Sequence, residues 1–188
     1  MLLQLWNETV SYFSGSLGKL ELLASTLLII NVYLLAKEKI SNYWFGFAGV
    51  LIYGYLFKEY GLLSDMWLQW AFYVPLQVIG YIIWKWGARS KSTGVVNMNV
   101  SFLHPIVIIC ICAMLMMISY LWAPIMIAQG ADPIFAKADA MIMWASIAAS
   151  LLLLFKVIEN WVLWIMIDIV AIPTYWLKGM HVTAMLYV

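Results

Sequence analysis

Six predominantly apolar stretches of near-membrane length dominate this chain of 188 residues. The hydrocarbon core of a bilayer is about 30 Å thick, and a helix of about 20 residues crosses it. Inside lipid every backbone polar group must find a partner within the protein, so such stretches become helices. They lie at about 20–36, 42–57, 66–86, 103–123, 139–157 and 161–177. With 66% hydrophobic and 10% charged residues, the chain is predicted to be an all-α, polytopic membrane protein.

The ends and loops of the chain predict how it sits in the bilayer. Residues 1–19 are expected to form a short amphipathic segment at the interface, and no charged region precedes a cleavage site, so no signal peptide is expected. Six Lys and Arg residues fall on one side of the predicted membrane, namely Lys37, Lys39, Lys85, Arg89, Lys91 and Lys156, and four on the other, namely Lys19, Lys58, Lys137 and Lys178. The side richer in positive charge is cytoplasmic, which places the N-terminus outside.

A weak internal repeat bears on the architecture. A shift of 118 residues superimposes identical residues at four places, namely Ile40 on Ile158, Asn42 on Asn160, Gly61 on Gly179 and Leu68 on Leu186. Such matches either arise by chance in an apolar background or mark two related bundles. The second alternative predicts three-helix bundles at 20–86 and 137–188, parallel to one another and joined by a linker helix and loops at 87–136. The last helix would begin near His181, and the segment 181–188 is too short to cross a bilayer, so we expect that helix to be truncated.

One carboxylate stands near the middle of the last long apolar stretch. An ionised Asp168 at bilayer depth costs at least about 2.5 kcal/mol on insertion scales, and such a residue normally faces a bundle interior or a wet cavity. Asn160, Trp164 and Asp168 follow one another at four-residue spacing and share a helix face. This pattern favours a binding site. The alternative is a structural contact between helices.

The third apolar stretch carries a second polar and aromatic stripe. It consists of Gln69, Tyr73, Gln77, Tyr81 and Trp84. Glutamines are costly against lipid but supply donors and acceptors to a ligand, although hydrogen bonds between helices are an alternative use. Pro75 and Pro173 lie within predicted helices and indicate either hinges or static bends. Gly46, Gly49 and Gly54 are more typical of close helix packing.

Several classes of function are disfavoured. A net charge of +1 argues against a nucleic-acid partner. The two histidines, His104 and His181, form no zinc-binding HExxH motif, and no GxxxxGK phosphate loop is present. Asp168 has no second carboxylate in the interior of a predicted span with which to form an aspartyl-protease pair. We therefore predict neither an enzyme nor a metal site, and no cofactor. A homo-oligomer is compatible with these features.

Three segments carry a resemblance to a known family. They are KEKISNYWFGFAGVLIYGYLFKEYGLL, LQWAFYVPLQVIGYIIWKW and ENWVLWIMIDIVAIPTYWLKGMHVTAMLY, which resemble the PnuC family of vitamin transporters over most of residues 20–188. The resemblance implies a SWEET-like arrangement of three, one and three helices in a bacterial inner membrane. It also implies facilitated diffusion of nicotinamide riboside, which a cytoplasmic kinase then traps by phosphorylation. Relatives that carry thiamine, and a proton-coupled mechanism through Asp168, remain alternatives.

The same resemblance implies that Asn160 and Trp164 contact the substrate, with Gln69 and Gln77 opposite them. Nicotinamide riboside has a cationic ring, an amide and ribose hydroxyls, and a Trp face attracts a cation by about 0.5–2 kcal/mol. We therefore expect Trp164, with Trp161 or Tyr73, to sandwich the ring, while Asp168 balances its charge. No Lys or Arg lies in the interior of a predicted span, since Lys85 and Lys156 stand at span ends, so phosphorylated forms should be rejected.

Overall fold

The computed structural model describes residues 15–37, 39–87, 102–154 and 157–187, and these form a helical bundle. The α-helices are α1 (Ser16–Ala36), α2 (Asn42–Glu59), α3 (Leu63–Trp67), α4 (Val74–Gly87), α5 (Pro105–Ala128), α6 (Ala136–Leu154), α7 (Asn160–Leu177) and α8 (His181–Leu186), with a π-helical segment (Leu68–Tyr73) between α3 and α4. Most of the predicted interfacial segment, residues 1–14, lies outside the described residues.

The helices confirm the all-α membrane architecture, with shifted boundaries. Four of them, α1, α5, α6 and α7, are long and apolar enough to cross a bilayer. Helix α1 already begins at Ser16, so the end of the predicted interfacial segment belongs to the first span. Helix α5 runs to Ala128, beyond the predicted end near residue 123, and contains Pro124. Its outward side chains, such as Ile109 and Leu121, are more than 60% exposed, as expected of residues that face lipid tails.

The third span is continuous but changes its winding at the π-helical segment, directly before Pro75. A proline has no N–H to donate to the preceding turn, and a wider turn relieves the clash of its ring with that turn. The predicted irregularity at Pro75 thus takes the form of a π-helical segment. Gln69 and Tyr73 lie within it.

The offset of 118 residues recurs in the backbone. Helices α2 and α7 have the same length of 18 residues and begin at Asn42 and Asn160, which are 118 residues apart. Each of these two asparagines donates from its side-chain amide to the carbonyl three residues earlier, at 2.7 Å to Lys39 and 2.6 Å to Val157. Two residues after the last residue of each helix stands a glycine with positive φ, 73° at Gly61 and 79° at Gly179, a conformation that an L side chain rarely adopts.

The N-terminal half of the bundle, α1 to α4, and its C-terminal half, α6 to α8, interlock at one end. Helix α3 packs on α6, and its counterpart α8 packs on α1. At each junction a buried carboxylate accepts hydrogen bonds from the start of the other half's helix: Asp139 from the N–H groups of Ser64 and Asp65 at 2.7 and 2.9 Å, and Glu21 from Thr183. These carboxylates satisfy N–H groups that a helix start leaves without partners.

These contacts correct one expectation drawn from the sequence. Asp65 and Asp139 are both fully buried and adjacent, so Asp168 is not the only carboxylate within the bundle. Asp139 caps a helix, and Asp65 accepts a hydrogen bond of 2.7 Å from the Tyr175 hydroxyl. The predicted spans begin at residues 66 and 139, which leaves Asp65 and Asp139 at span ends, whereas α3 begins at Leu63 and α6 at Ala136. Both residues therefore serve the contact between the two halves, since Asp139 binds Ser64 and Asp65 binds Tyr175.

Aromatic rings fill the core between the halves. Tyr53 stacks on Phe57, Phe57 contacts Tyr175, and Tyr175 contacts Tyr187, with ring centroids 5.3–5.6 Å apart. Outside the membrane-spanning segments, Lys178 binds Asp132 at 2.6 Å and lowers the pKa of that carboxyl. This ion pair ties the end of α7 to the loop before α6.

Candidate functional site

A cavity of about 690 Å³ opens between the two halves of the bundle. Its size is in the range typical of small-molecule sites. Its polar and aromatic lining comes from α1, α2, the π-helical segment, α4, α7 and α8 with the residue that follows it. The residues are Asn31, Tyr53, Phe57, Gln69, Tyr73, Gln77, Trp164, Asp168, Thr183 and Tyr187. The rest of the lining is aliphatic, so a ligand would meet a few polar groups in an otherwise apolar space.

The polar stripe of the third span divides between two places. Gln69, Tyr73 and Gln77 line the cavity, as the stripe predicted. The side chain of Gln69 is 7% exposed and its Oε1 atom has no hydrogen-bond partner. A buried acceptor without a partner costs about 1–3 kcal/mol, so Gln69 is poised to accept a hydrogen bond from a ligand.

The C-terminal part of that stripe packs against α2 and does not line this cavity. Tyr81 and Trp84 contact the ring of Tyr43 edge-on, with centroids 6.4 and 5.7 Å away. A smaller aromatic cavity of about 180 Å³ lies there and shares Gln77 with the main one. Gln77 thus stands at the boundary between the two cavities.

Helix α7 contributes two of the four residues predicted on it. Trp164 and Asp168 line the cavity one turn apart, and each is partly exposed. Asn160 is 3% exposed and bonds Val157 at the start of its own helix, outside the cavity lining. Trp161 is 63% exposed and points away. The predicted ligand contacts of Asn160 and Trp161 therefore have no support from the geometry of the cavity.

Sequence reasoning missed four polar lining residues, Asn31, Tyr53, Thr183 and Tyr187. One carried a usable signal: Asn31 is a lone amide in the apolar run LLIINVYLLA. It donates a hydrogen bond of 2.8 Å to the carbonyl of Asn42 and so joins α1 to the start of α2. The other three reach the cavity only through the packing of α2 and α8, which no local pattern reports.

A glycine makes room for two of these amides. A Cβ atom at Gly46 would lie 2.7 Å from the amide nitrogens of both Asn31 and Gln77. The glycines of α2 and α4 meet bulky neighbours in the same way, Gly49 against Leu28 and Gly80 against Tyr43. Gly54 meets Trp70 in the same way, so the prediction of close packing for Gly46, Gly49 and Gly54 is confirmed, and at Gly46 the packing also shapes the cavity.

The charge of the lining restricts what it can hold. Asp168 is the acidic residue of the lining, and the described lining includes no Lys or Arg. Among the described residues no group of three or more His, Cys, Asp or Glu is placed to hold a metal ion. A flat, positively charged ligand with hydrogen-bonding substituents fits this combination of carboxylate, aromatic face and amides.

Comparisons with known proteins find relatives over most of the chain. A family model described as nicotinamide mononucleotide transporter matches residues 18–188. The chain is similar to the nicotinamide riboside transporter PnuC of Escherichia coli, with 24% identity over 180 residues, 85% of this chain and 75% of the relative. It is also similar to the PnuC proteins of Neisseria mucosa, at 25% identity over 58% of the relative, and of Haemophilus influenzae, at 27% over 62%.

A solved structure shares the fold. The crystal structure of the vitamin B3 transporter PnuC aligns with a TM-score of 0.62 at 22% identity, and the alignment covers 99% of this chain and 83% of the other. At that identity the likeness establishes the arrangement of helices, while the chemistry of the site rests on the residues described above.

Proposed function

Because this chain belongs to the nicotinamide mononucleotide transporter family, we propose that it carries nicotinamide riboside across a bacterial inner membrane by facilitated diffusion. The single observation that carries the proposal is the cavity of about 690 Å³, in which Trp164, Asp168 and Gln69 line one space. The family is one of transporters, and we assign the chain no enzymatic activity. It is a multi-pass membrane protein, and we propose that its N-terminus faces outward.

We place the pyridinium ring against Trp164, with Tyr73 as the second aromatic wall. Asp168 offsets the charge of the ring, which is desolvated on entry. The free oxygen of Gln69 accepts a hydrogen bond from the amide or a ribose hydroxyl, and the amide of Gln77 supplies a further contact. Each ligand feature thus meets a group already present in the lining.

The transport cycle follows from the two halves. We propose that they form the three, one and three arrangement of SWEET-like proteins, rocking about the aromatic core between them. Diffusion through such a protein brings the cationic substrate to electrochemical equilibrium, at which entry and exit balance. Net uptake then requires a reaction that consumes the substrate on the inside, and phosphorylation by a cytoplasmic kinase would do so.

Thiamine is the second candidate. Its thiazolium ring is also cationic and flat, so Trp164 and Asp168 would attract it by the same forces. The amide groups of Gln69 and Gln77 suit the carboxamide and ribose of nicotinamide riboside, and on that ground we prefer the riboside.

Uptake of radiolabelled substrate into liposomes that contain the purified protein tests the proposal. With the membrane potential held at zero, we expect nicotinamide riboside to enter until the inside and outside concentrations are equal, with the same rate when no pH gradient is present. Protein-free liposomes are the control, and thiamine is measured in parallel. Uptake that stops without a pH gradient would support a proton-coupled mechanism through Asp168, and faster entry of thiamine would reverse the preference between substrates.

A further inference from the structure

A buried carboxylate outside the cavity controls part of its wall. Glu21 of α1 is fully buried. Its Oε1 atom accepts two hydrogen bonds from Thr183, one of 2.6 Å from the backbone N–H and one of 2.7 Å from the hydroxyl. Thr183 lies in the first turn of α8 and lines the cavity. A residue of the first half thereby holds the last helix of the second half in place.

The contact extends to a second lining residue. The Tyr53 hydroxyl lies 2.6 Å from the Ser25 hydroxyl and 3.4 Å from that of Thr183. Tyr53 also lines the cavity, and both Tyr53 and Thr183 are at most 2% exposed. Tyr53 and Thr183 form the floor of the cavity, and hydrogen bonds to Ser25 and Glu21 orient their hydroxyl groups. Glu21 fixes that floor from behind.

Glu21 has a counterpart in the second half of the chain, but the contacts of that counterpart lie away from the cavity. Asp139 lies 118 residues after Glu21 and caps the start of α3 through Ser64 and Asp65. Neither Ser64 nor Asp65 is a lining residue of the cavity. The two carboxylates play the same part in the packing of the halves, but only the bonds of Glu21 end on the cavity wall.

We propose that Glu21 is a positioning residue for substrate binding, acting through Thr183 on the cavity floor and on the start of α8. Removal of its acceptor leaves the N–H of Thr183 without its partner and leaves the Thr183 hydroxyl only the long contact of 3.4 Å to Tyr53, and a buried donor without a partner forces a local rearrangement. Leu186 and Tyr187, which follow on the same short segment, also line the cavity and would move with it. The identity of the ligand in this inference rests on the proposed function.

Three variants separate positioning from general stability. Glu21→Ala removes both bonds, Glu21→Gln keeps an Oε1 atom that accepts them, and Asp139→Asn weakens the matched contact away from the cavity. Affinity for nicotinamide riboside is measured by calorimetry, thermal stability by unfolding, and the local contact by hydrogen exchange of the amides at 181–187.

We expect Glu21→Ala to weaken affinity about tenfold and to speed exchange at Thr183 by a similar factor, because a buried acceptor is lost. Glu21→Gln should stay within about threefold of the wild type in both measurements. Asp139→Asn should lower the unfolding temperature and leave the affinity within about twofold. Equal affinities of Glu21→Ala and the wild type, or an equal loss of affinity in Asp139→Asn, would overturn the proposal.

Two cases need a separate measurement, namely a wild type that does not bind the riboside and a Glu21→Ala variant that does not fold. If the wild type does not bind the riboside, the proposed function fails, and hydrogen exchange at Thr183 still decides the positioning role: unchanged protection in Glu21→Ala overturns it. If Glu21→Ala does not fold, Thr183→Val and Thr183→Ser replace it. We expect the valine variant to lose affinity about threefold and the serine variant to restore it, whereas equal affinities of the two overturn the proposal.

Discussion

Two tryptophans within one turn of α7 have different surroundings. Trp161 is 63% exposed toward the lipid, whereas Trp164 is partly buried and lines the cavity. They are three residues apart and have the same side chain, so the difference between them comes from the packing of neighbouring helices. This makes them a matched pair for mutation.

Trp164→Ala should weaken binding of nicotinamide riboside at least about tenfold, because it removes the aromatic face that attracts the cationic ring. Trp161→Ala, as the control, should stay within about twofold, since its side chain points away from the cavity. Calorimetric titration of the purified variants measures both. An equal loss in the two variants would place the ring elsewhere.

Asp168→Asn isolates the contribution of charge. The variant keeps the size of the side chain and removes its negative charge, so affinity for the cationic riboside should fall about fivefold. The reduced form of the riboside has a neutral ring and serves as the matched ligand, for which affinity should be unchanged. If both ligands lose affinity equally, Asp168 acts as a hydrogen-bonding or structural group.

At this scale the sequence predicts those residues that contrast with their surroundings. Asp168 and Gln69 were found because a carboxylate or an amide is rare in an apolar run. Glu21 was missed because it stands at the predicted edge of the first span, where a charge indicates an interface. Its partner Thr183 is 162 positions away, and only the tertiary fold brings them together.

Among the elements, helix α2 shows how glycines set both stability and cavity shape. A Cβ atom at Gly54 would lie 2.0 Å from Nε1 of Trp70, an indole that donates a hydrogen bond to the carbonyl of Leu51. At Gly46 the obstacles are the amide ends of Asn31 and Gln77, which are flexible and belong to the cavity. The same substitution should therefore have different effects at the two positions.

Gly54→Ala should lower the free energy of unfolding by about 1–3 kcal/mol, because the rigid ring of Trp70 must move. Gly46→Ala should change stability less and should weaken riboside binding about threefold, since the displaced amides line the cavity. Thermal unfolding and calorimetry on both variants test the contrast. The reverse pattern would mean that the amides of Asn31 and Gln77 do not serve the ligand.

The existence of the helices was predictable from apolar length, while their local winding was not. Pro75 indicated an irregularity, but a kink, a hinge and a π-helical segment share that signal. The predicted starts of two helices, at residues 20 and 139, are too late, since α1 begins at Ser16 and α6 at Ala136. Each helix has a carboxylate near its start, Glu21 in α1 and Asp139 in α6. Those charges become buried caps of other helices, which periodicity alone does not indicate.

For the molecule as a whole, the offset of 118 residues links sequence, fold and proposed mechanism. The sequence matches were few, yet the offset reappears in the bounds of α2 and α7 and in the paired caps of Glu21 and Asp139. The cavity lies between halves held together by these caps and by an aromatic core. Its described lining includes Asp168 and lacks Lys and Arg, a combination that favours a cationic ligand over one with a phosphate.

The central claim is that this cavity binds an unphosphorylated, cationic nucleoside. The most direct test is a calorimetric titration of the purified protein with nicotinamide riboside and, separately, with nicotinamide mononucleotide, which adds a phosphate. We predict saturable binding of one riboside per chain and at least about hundredfold weaker binding of the mononucleotide, because no cation in the described lining compensates a buried phosphate. Equal binding of the mononucleotide, or no binding of the riboside, would contradict the account.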